Sequence, residues 1–94
     1  MRYERKLSDV LTSLYRRMEL DELAEEWEVK NIYNQVVGDL ISRLTTEVRY
    51  DKGVLVVKYS SAALKNEIAY KKQDLINKIN DSMNRIVVRK LTIL

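Results

Sequence analysis

The chain has no cysteine, no histidine and no proline among its 94 residues. The first absence removes disulfide staples and thiol nucleophiles, and the second removes imidazole bases. Together they remove any ordinary zinc, copper or haem site. The third leaves no slow prolyl isomerisation in folding. Long apolar runs are missing as well: nothing approaches the ~18 residues that a membrane helix needs. The opening stretch Met1 to Lys6 lacks the apolar core of a secretory signal, so the expected location is the cytoplasm. Acidic side chains are plentiful, but no spacing clusters them into a magnesium site, and no nucleophile stands beside a base. The chain is therefore expected to use no cofactor and to catalyse nothing.

What is present, at 46% hydrophobic and 33% charged residues, is the composition of one ordinary soluble domain spanning 1–94. The net charge of +3 conceals an asymmetry. Residues 1–50 hold 8 Lys/Arg against 10 Asp/Glu, and residues 51–94 hold 9 against 4. A basic half points to a polyanion partner and an acidic half to a protein partner.

The most informative stretch is residues 50–69. Val54 to Val57 form a short apolar run behind Gly53, the pattern of a buried strand, and Ser60 or Ser61 is placed to cap a helix starting at Ala62. A two-residue turn at Lys52-Gly53 pairs residues whose numbers sum to 105. Val48 and Tyr50 then share a face with Leu55, Val57 and Tyr59, while Glu47 faces Lys58 and Arg49 faces Val56. A three-residue loop would split the core, because a slip of one residue turns every side chain over.

Upstream, Leu7, Val10, Leu11, Leu14, Tyr15 and Met18 form one helical stripe, with Ser8 as the expected cap. Leu20, Leu23, Ala24 and Trp27 continue into a second helix. The phase then slips to Val29, Ile32, Tyr33, Val36, Val37, Leu40, Ile41 and Leu44. The segment is either one long bent helix from about 21 to 43 or two helices broken near Glu28–Asn31. Gly38 inside it costs ~1 kcal/mol against alanine and predicts a close helix–sheet approach. Downstream, Leu64, Ile68, Leu75, Ile76, Ile79 and Met83 share an arc of a helix over about 62–83, with Lys72 projecting into that arc and its ammonium expected to snorkel. Arg85 to Leu94 reads as a last strand. The fold class is α+β in the order α-α-β-β-α-β, a three-stranded sheet with its helices on one face.

The candidate nucleic-acid contacts are Lys58, Lys65, Lys71, Lys72, Lys78, Arg85, Arg89 and Lys90, which with Lys52 are taken as a groove along the last helix and strand. Each lysine taken alone is more ordinary as a solvated surface charge. Of six tyrosines able to stack on bases, Tyr15, Tyr33, Tyr50 and Tyr59 fall on predicted core faces. Tyr3 remains open, and Tyr70 on a polar side is the best stacking candidate. Trp27 is expected in the core, or as a protein anchor if the helix break leaves it out. Val54 and Val56 on the outer sheet face, with a last strand at the edge, are candidate protein contacts and would suit a homodimer through that edge.

These residues resemble a known family. Tyr33-Asn34-Gln35-Val36-Val37-Gly38-Asp39-Leu40-Ile41 is similar to its Trp-Pro-x-Val-Val-Gly-x-x-Ile motif, with Tyr33 and Asn34 in place of Trp-Pro. Thr45, then Asp51-Lys52-Gly53-Val54-Leu55 with Val57, then Ser60-Ser61-Ala62 with Leu64, Asn66 and Glu67, follow in order. Leu75-Ile76, Ile79-Asn80 and a terminal strand complete the resemblance, which is to the DciA-like family of small bacterial proteins. It implies a KH-like fold similar to the N-terminal domain of the initiator DnaA. It also implies work in DNA replication: binding the replicative helicase and single-stranded DNA, and helping load the ring. Helicase-loading members carry a basic extension beyond this domain, whereas this sequence stops at its last strand. The Gly-x-x-Gly clamp of true KH domains has no counterpart, since Gly38 and Gly53 are the two glycines. The rival expectation is a protein-interaction or self-associating module that binds no nucleic acid.

Overall fold

The computed structural model describes residues 2–94, and side chains from Lys6 onward, so Tyr3 lies outside the described side chains. Helix α1 spans Arg2–Leu44 and strands β1 and β2 span Thr45–Asp51 and Val54–Tyr59. Helices α2 (Ala62–Tyr70) and α3 (Lys72–Met83) follow, and strand β3 (Lys90–Ile93) ends the fold. The sheet order is β1-β2-β3, with β1 antiparallel and β3 parallel to the central β2. The fold is α+β, and the helices cover one face of a three-stranded sheet, as expected.

The hairpin has the predicted register. Val48 faces Val57, Tyr50 faces Leu55, Arg49 faces Val56 and Glu47 faces Lys58. Lys52 and Gly53 both adopt positive φ (45° and 87°), the backbone of a type I′ turn whose twist suits a two-residue hairpin. Beyond Glu47 a bulge shifts the pairing, so that Thr45 meets Tyr59. Residues 55 and 57 on β2 and 91 on β3 turn inward and are buried with Tyr50 and Tyr59. The inner face meets Val29 and Tyr33 of α1, Leu64 and Ile68 of α2, and Leu75, Ile76 and Ile79 of α3 in one cluster. Ser61 caps α2 as expected, accepting the Leu64 N–H at 3.2 Å.

Two polar devices lock the layers together. The Tyr33 hydroxyl lies 2.9 Å from both the Tyr59 and the Thr45 hydroxyls, and Thr45 donates to the Ile41 carbonyl at 2.7 Å. Asn80 on α3 holds the crossing to β3 by three bonds. Its Oδ1 accepts from the Val87 and Val88 N–H groups at 3.0 and 2.9 Å, and its Nδ2 donates to the Val88 carbonyl at 2.9 Å. Val87 and Val88 are thereby fixed in the core, and β3 starts beside β2.

Several expectations are corrected. The chain does not break at Glu28–Asn31: residues 19–30 are mostly strong helix formers, and α1 runs unbroken through them. It begins at Arg2, so Ser8 lies inside the helix and caps nothing. The break falls at Gly38, with φ 84° and ψ 172°, a region essentially reserved for glycine. No atom lies within 4 Å of where its Cβ would stand, so conformation and not close approach explains this glycine. The single helix expected over 62–83 is interrupted at Lys71 (φ −110°, ψ 17°). Lys72 opens α3 directly after the interruption and is exposed to solvent, not held in the apolar arc.

The largest departure concerns the N-terminal stripe. Leu7, Val10, Leu11, Leu14, Tyr15, Met18, Leu20, Leu23 and Trp27 are all exposed. Tyr15 and Trp27 are therefore not core residues. The 36 residues of α1 before Gly38 make a helix ~54 Å long at 1.5 Å per residue, most of the molecule's 63 Å long axis. The body covers α1 only from about Glu25 onward, and the rest projects beyond it.

Candidate nucleic-acid interface

Strand alternation decides which cations meet. On the outer sheet face β1 presents Glu47, Arg49 and Asp51, β2 presents Val54, Val56 and Lys58, and β3 presents Lys90 and Thr92. Val54 and Val56 are half-buried, with Arg49 directly across from Val56 and Lys90 across from Val54. Lys58 and Lys90 sit four residues apart along the strands, ~13 Å. At the hairpin end, the Arg89 side chain lies against Gly53, while the Arg89 and Lys90 N–H groups donate to the Gly53 carbonyl at 2.8 and 3.2 Å. Lys52 is exposed at the turn itself. Among the described residues Lys52, Lys58, Arg89 and Lys90 form no ion pair, and Arg49 pairs only with its strand neighbour Glu47 at 3.1 Å.

The remaining candidates are placed elsewhere, so the last helix and the last strand do not make one continuous basic groove. Lys65, Lys71, Lys72 and Lys78 belong to the helical layer behind the sheet. Lys71 sits 3.4 Å from Glu67 and Lys78 3.2 Å from Asp74, exposed one-turn pairs that neutralise charge locally and contribute little stability. Lys65 and Lys72 are exposed and unpaired among the described residues. Tyr70 is 92% exposed beside the α2–α3 junction, which leaves its ring available for stacking. Arg85 turns instead to the acidic helix, 3.7 Å from Glu25 and 3.9 Å from Glu28.

Where α1 leaves the body, a mainly acidic groove is lined by Glu19, Glu22, Leu23, Glu25, Glu26, Tyr50 and Asp51, with Lys52 at its hairpin side. The Tyr50 hydroxyl anchors that exit, a single donor 2.7 Å from the Glu25 carboxylate and 2.8 Å from the Val87 carbonyl. Burial, then the hydrogen bond to Glu25, pushes the Tyr50 phenol up to about 12. Burial and its Tyr33 partner also drive Tyr59 well above the ordinary phenol range. Trp27, 67% exposed, flanks a second shallow groove with Glu28, Asn31, Ile32, Met83 and Arg85. No group of three or more carboxylates able to hold a metal occurs among the described residues.

Arg49 is the outer-face cation absent from the residues that the sequence singles out. The hairpin register already placed Arg49 opposite Val56, and so on the face of Lys58. It was missed because charge was counted by halves of the chain and not by faces of the sheet.

The family model described as Dna[CI] antecedent, DciA, matches residues 6–93, nearly the whole chain. The chain belongs to the DciA family. That family is associated with DNA replication and helicase loading, and it is a helicase-accessory family and not a known enzyme family. Members of the DciA family are thus linked to the replicative helicase. No curated protein matches the chain. No helix among the described residues is long and apolar enough to cross a membrane.

Proposed function

We propose that this chain is a non-enzymatic replication accessory, acting in the cytoplasm, that holds single-stranded nucleic acid on its outer sheet face. Its helical side would meet the replicative helicase. The observation that carries the reading is the separation of charge across the fold. Arg49, Lys58 and Lys90 project around the Val54–Val56 floor, with Lys52 and Arg89 near its hairpin end, against Glu47 and Asp51 on the same side. Six acids and no base occupy residues 19–28 of α1.

The sheet face carries no aromatic ring, so binding there rests on phosphate contacts and is weak and sequence-independent. Three phosphate contacts on a single strand give a slope of log affinity against log salt of about −2. Anisotropy with a labelled oligothymidine tests this. The double variant Lys58→Glu/Lys90→Glu is expected to weaken binding at least tenfold and to flatten the slope. Affinity indifferent to both salt and charge reversal would refute the sheet face as the site.

The helicase half rests on Trp27, Leu20 and Leu23, apolar side chains exposed on one side of α1 among those acids. Large exposed aromatics of this kind anchor protein interfaces. Trp27→Ala is expected to abolish capture of the helicase while leaving oligonucleotide affinity unchanged. Helicase capture that survives Trp27→Ala would remove this half of the proposal.

A further inference from the structure

At 100° per residue, the exposed side chains of α1 fall into two opposed sets. Leu20, Leu23 and Trp27 lie on one side. Leu7, Val10, Leu11, Leu14, Tyr15 and Met18 lie on the other, in phase with Val29 and Tyr33 but beyond the end of the body. The second set has an unusual symmetry. Replacing each residue number i by 25 − i maps the six positions onto themselves: 7 with 18, 10 with 15, 11 with 14.

A two-fold interface must be self-complementary, because each copy offers the same patch to the other. Two antiparallel helices crossing between residues 12 and 13 meet that demand here. Leu7 would pack on Met18 of the other copy, and Leu11 on Leu14. Spacings of 4, 3 and 4 along Leu7, Leu11, Leu14 and Met18 are those of a coiled-coil seam, with Val10 and Tyr15 flanking it.

Charge selects the orientation. A parallel pair would set the six acids of residues 19–28 against their own copies. An antiparallel pair, in which facing residue numbers sum to 25, sets Glu19 against Lys6 and Arg16 against Asp9. Other occupants fit less well. Residues 2–24 hold Arg2, Arg5, Lys6, Arg16 and Arg17 against Glu4, Asp9, Glu19, Asp21 and Glu22, a net charge of zero, so neither an anionic lipid surface nor a nucleic acid is strongly attracted. A foreign helix would impose no mirror symmetry on the stripe.

We infer that the projecting part of α1 is a homodimer interface, in which residues 6–19 of two copies pair antiparallel through the Leu7–Met18 stripe. The two sheets then lie at opposite ends of the dimer, with the Leu20–Trp27 side of each helix still free. The seam is only two heptads long, so the dimer is expected to form at tens of micromolar and to dissociate on dilution.

Sedimentation velocity over a concentration series gives the first test. The parent chain is expected to shift to dimer mass, and Leu11→Glu/Leu14→Glu to remain monomeric throughout. A parent chain that stays monomeric overturns the inference, and so does a double variant that still dimerises, since the contact then lies elsewhere. The cysteine-free sequence allows the orientation to be read directly. Mixing Leu7→Cys with Met18→Cys under mild oxidation is expected to give mainly the mixed disulfide. Homodisulfides formed as readily by Leu7→Cys alone would overturn the antiparallel pairing.

Discussion

Removing the Asn80 side chain should unlatch the third strand. Asn80→Ala deletes three hydrogen bonds and leaves the N–H groups of Val87 and Val88 facing a gap, in residues that are 4% and 1% exposed. A net ~1 kcal/mol for each of the three bonds, a figure that already reflects partners left unpaired, places the loss at about 2–4 kcal/mol. The whole stability of a domain of this size is about 5–14 kcal/mol, so a large share disappears. At roughly 4–8 °C per kcal/mol, the melting temperature should fall by at least about 10 °C in calorimetry. Asn80→Asp separates the components, because a carboxylate still accepts both N–H groups but cannot donate to the Val88 carbonyl. It should therefore melt between the parent and the alanine variant. Amide exchange in Val88 to Ile93 should accelerate in both variants more than in Leu55 and Val57, since β3 depends on the clamp and the β1–β2 hairpin does not. A melting temperature within about 2 °C of the parent for Asn80→Ala would refute the reasoning, whatever the exchange pattern.

Gly38→Ala should cost about 1–3 kcal/mol although the added methyl group meets nothing, because φ 84° with ψ 172° is closed to alanine; an unchanged urea midpoint would contradict this. Alkaline pH should unfold the protein through its tyrosines. The folded state raises the Tyr50 and Tyr59 phenols, so it holds protons that the unfolded chain releases near pH 10. Stability is intact below that pH and is lost as pH rises toward about 12, with the sign given by proton linkage. Absorbance titration of the parent against Tyr50→Phe and Tyr59→Phe should show each variant losing one late-ionising phenol. Trp27 is the sole tryptophan, so its emission should be that of a solvent-exposed indole, and Trp27→Ala should leave stability within about 0.5 kcal/mol. Blue-shifted emission would mean that this side of α1 is covered.

Short-range physics was readable from the residues alone. The parity of the hairpin follows from turn length and from which residues are apolar, so Val48, Tyr50, Leu55 and Val57 could be assigned to one face. The Ser61 cap and the buried arc of Leu64, Ile68, Leu75, Ile76 and Ile79 rest on equally local rules. The interruption at Lys71 carries no such mark: neither glycine nor proline stands there, and Ile68 and Leu75 are spaced as on one continuous helix.

Periodicity established that Leu7 to Met18 form an apolar stripe and also its direction, but not whether anything lies opposite. Tertiary structure decided that, because the helical layer fills its side of the sheet with residues from Val29 onward and a rigid rod carries the stripe past the edge of the body. The candidate interface divided for a related reason. Lys58 and Lys90 are 32 residues apart in sequence, yet both project from the outer side of one sheet. Lys78, between them in sequence, belongs to the helix behind it. Linear order determines what charge each segment carries, and the parallel pairing of β3 with β2 determines which charges face the same way.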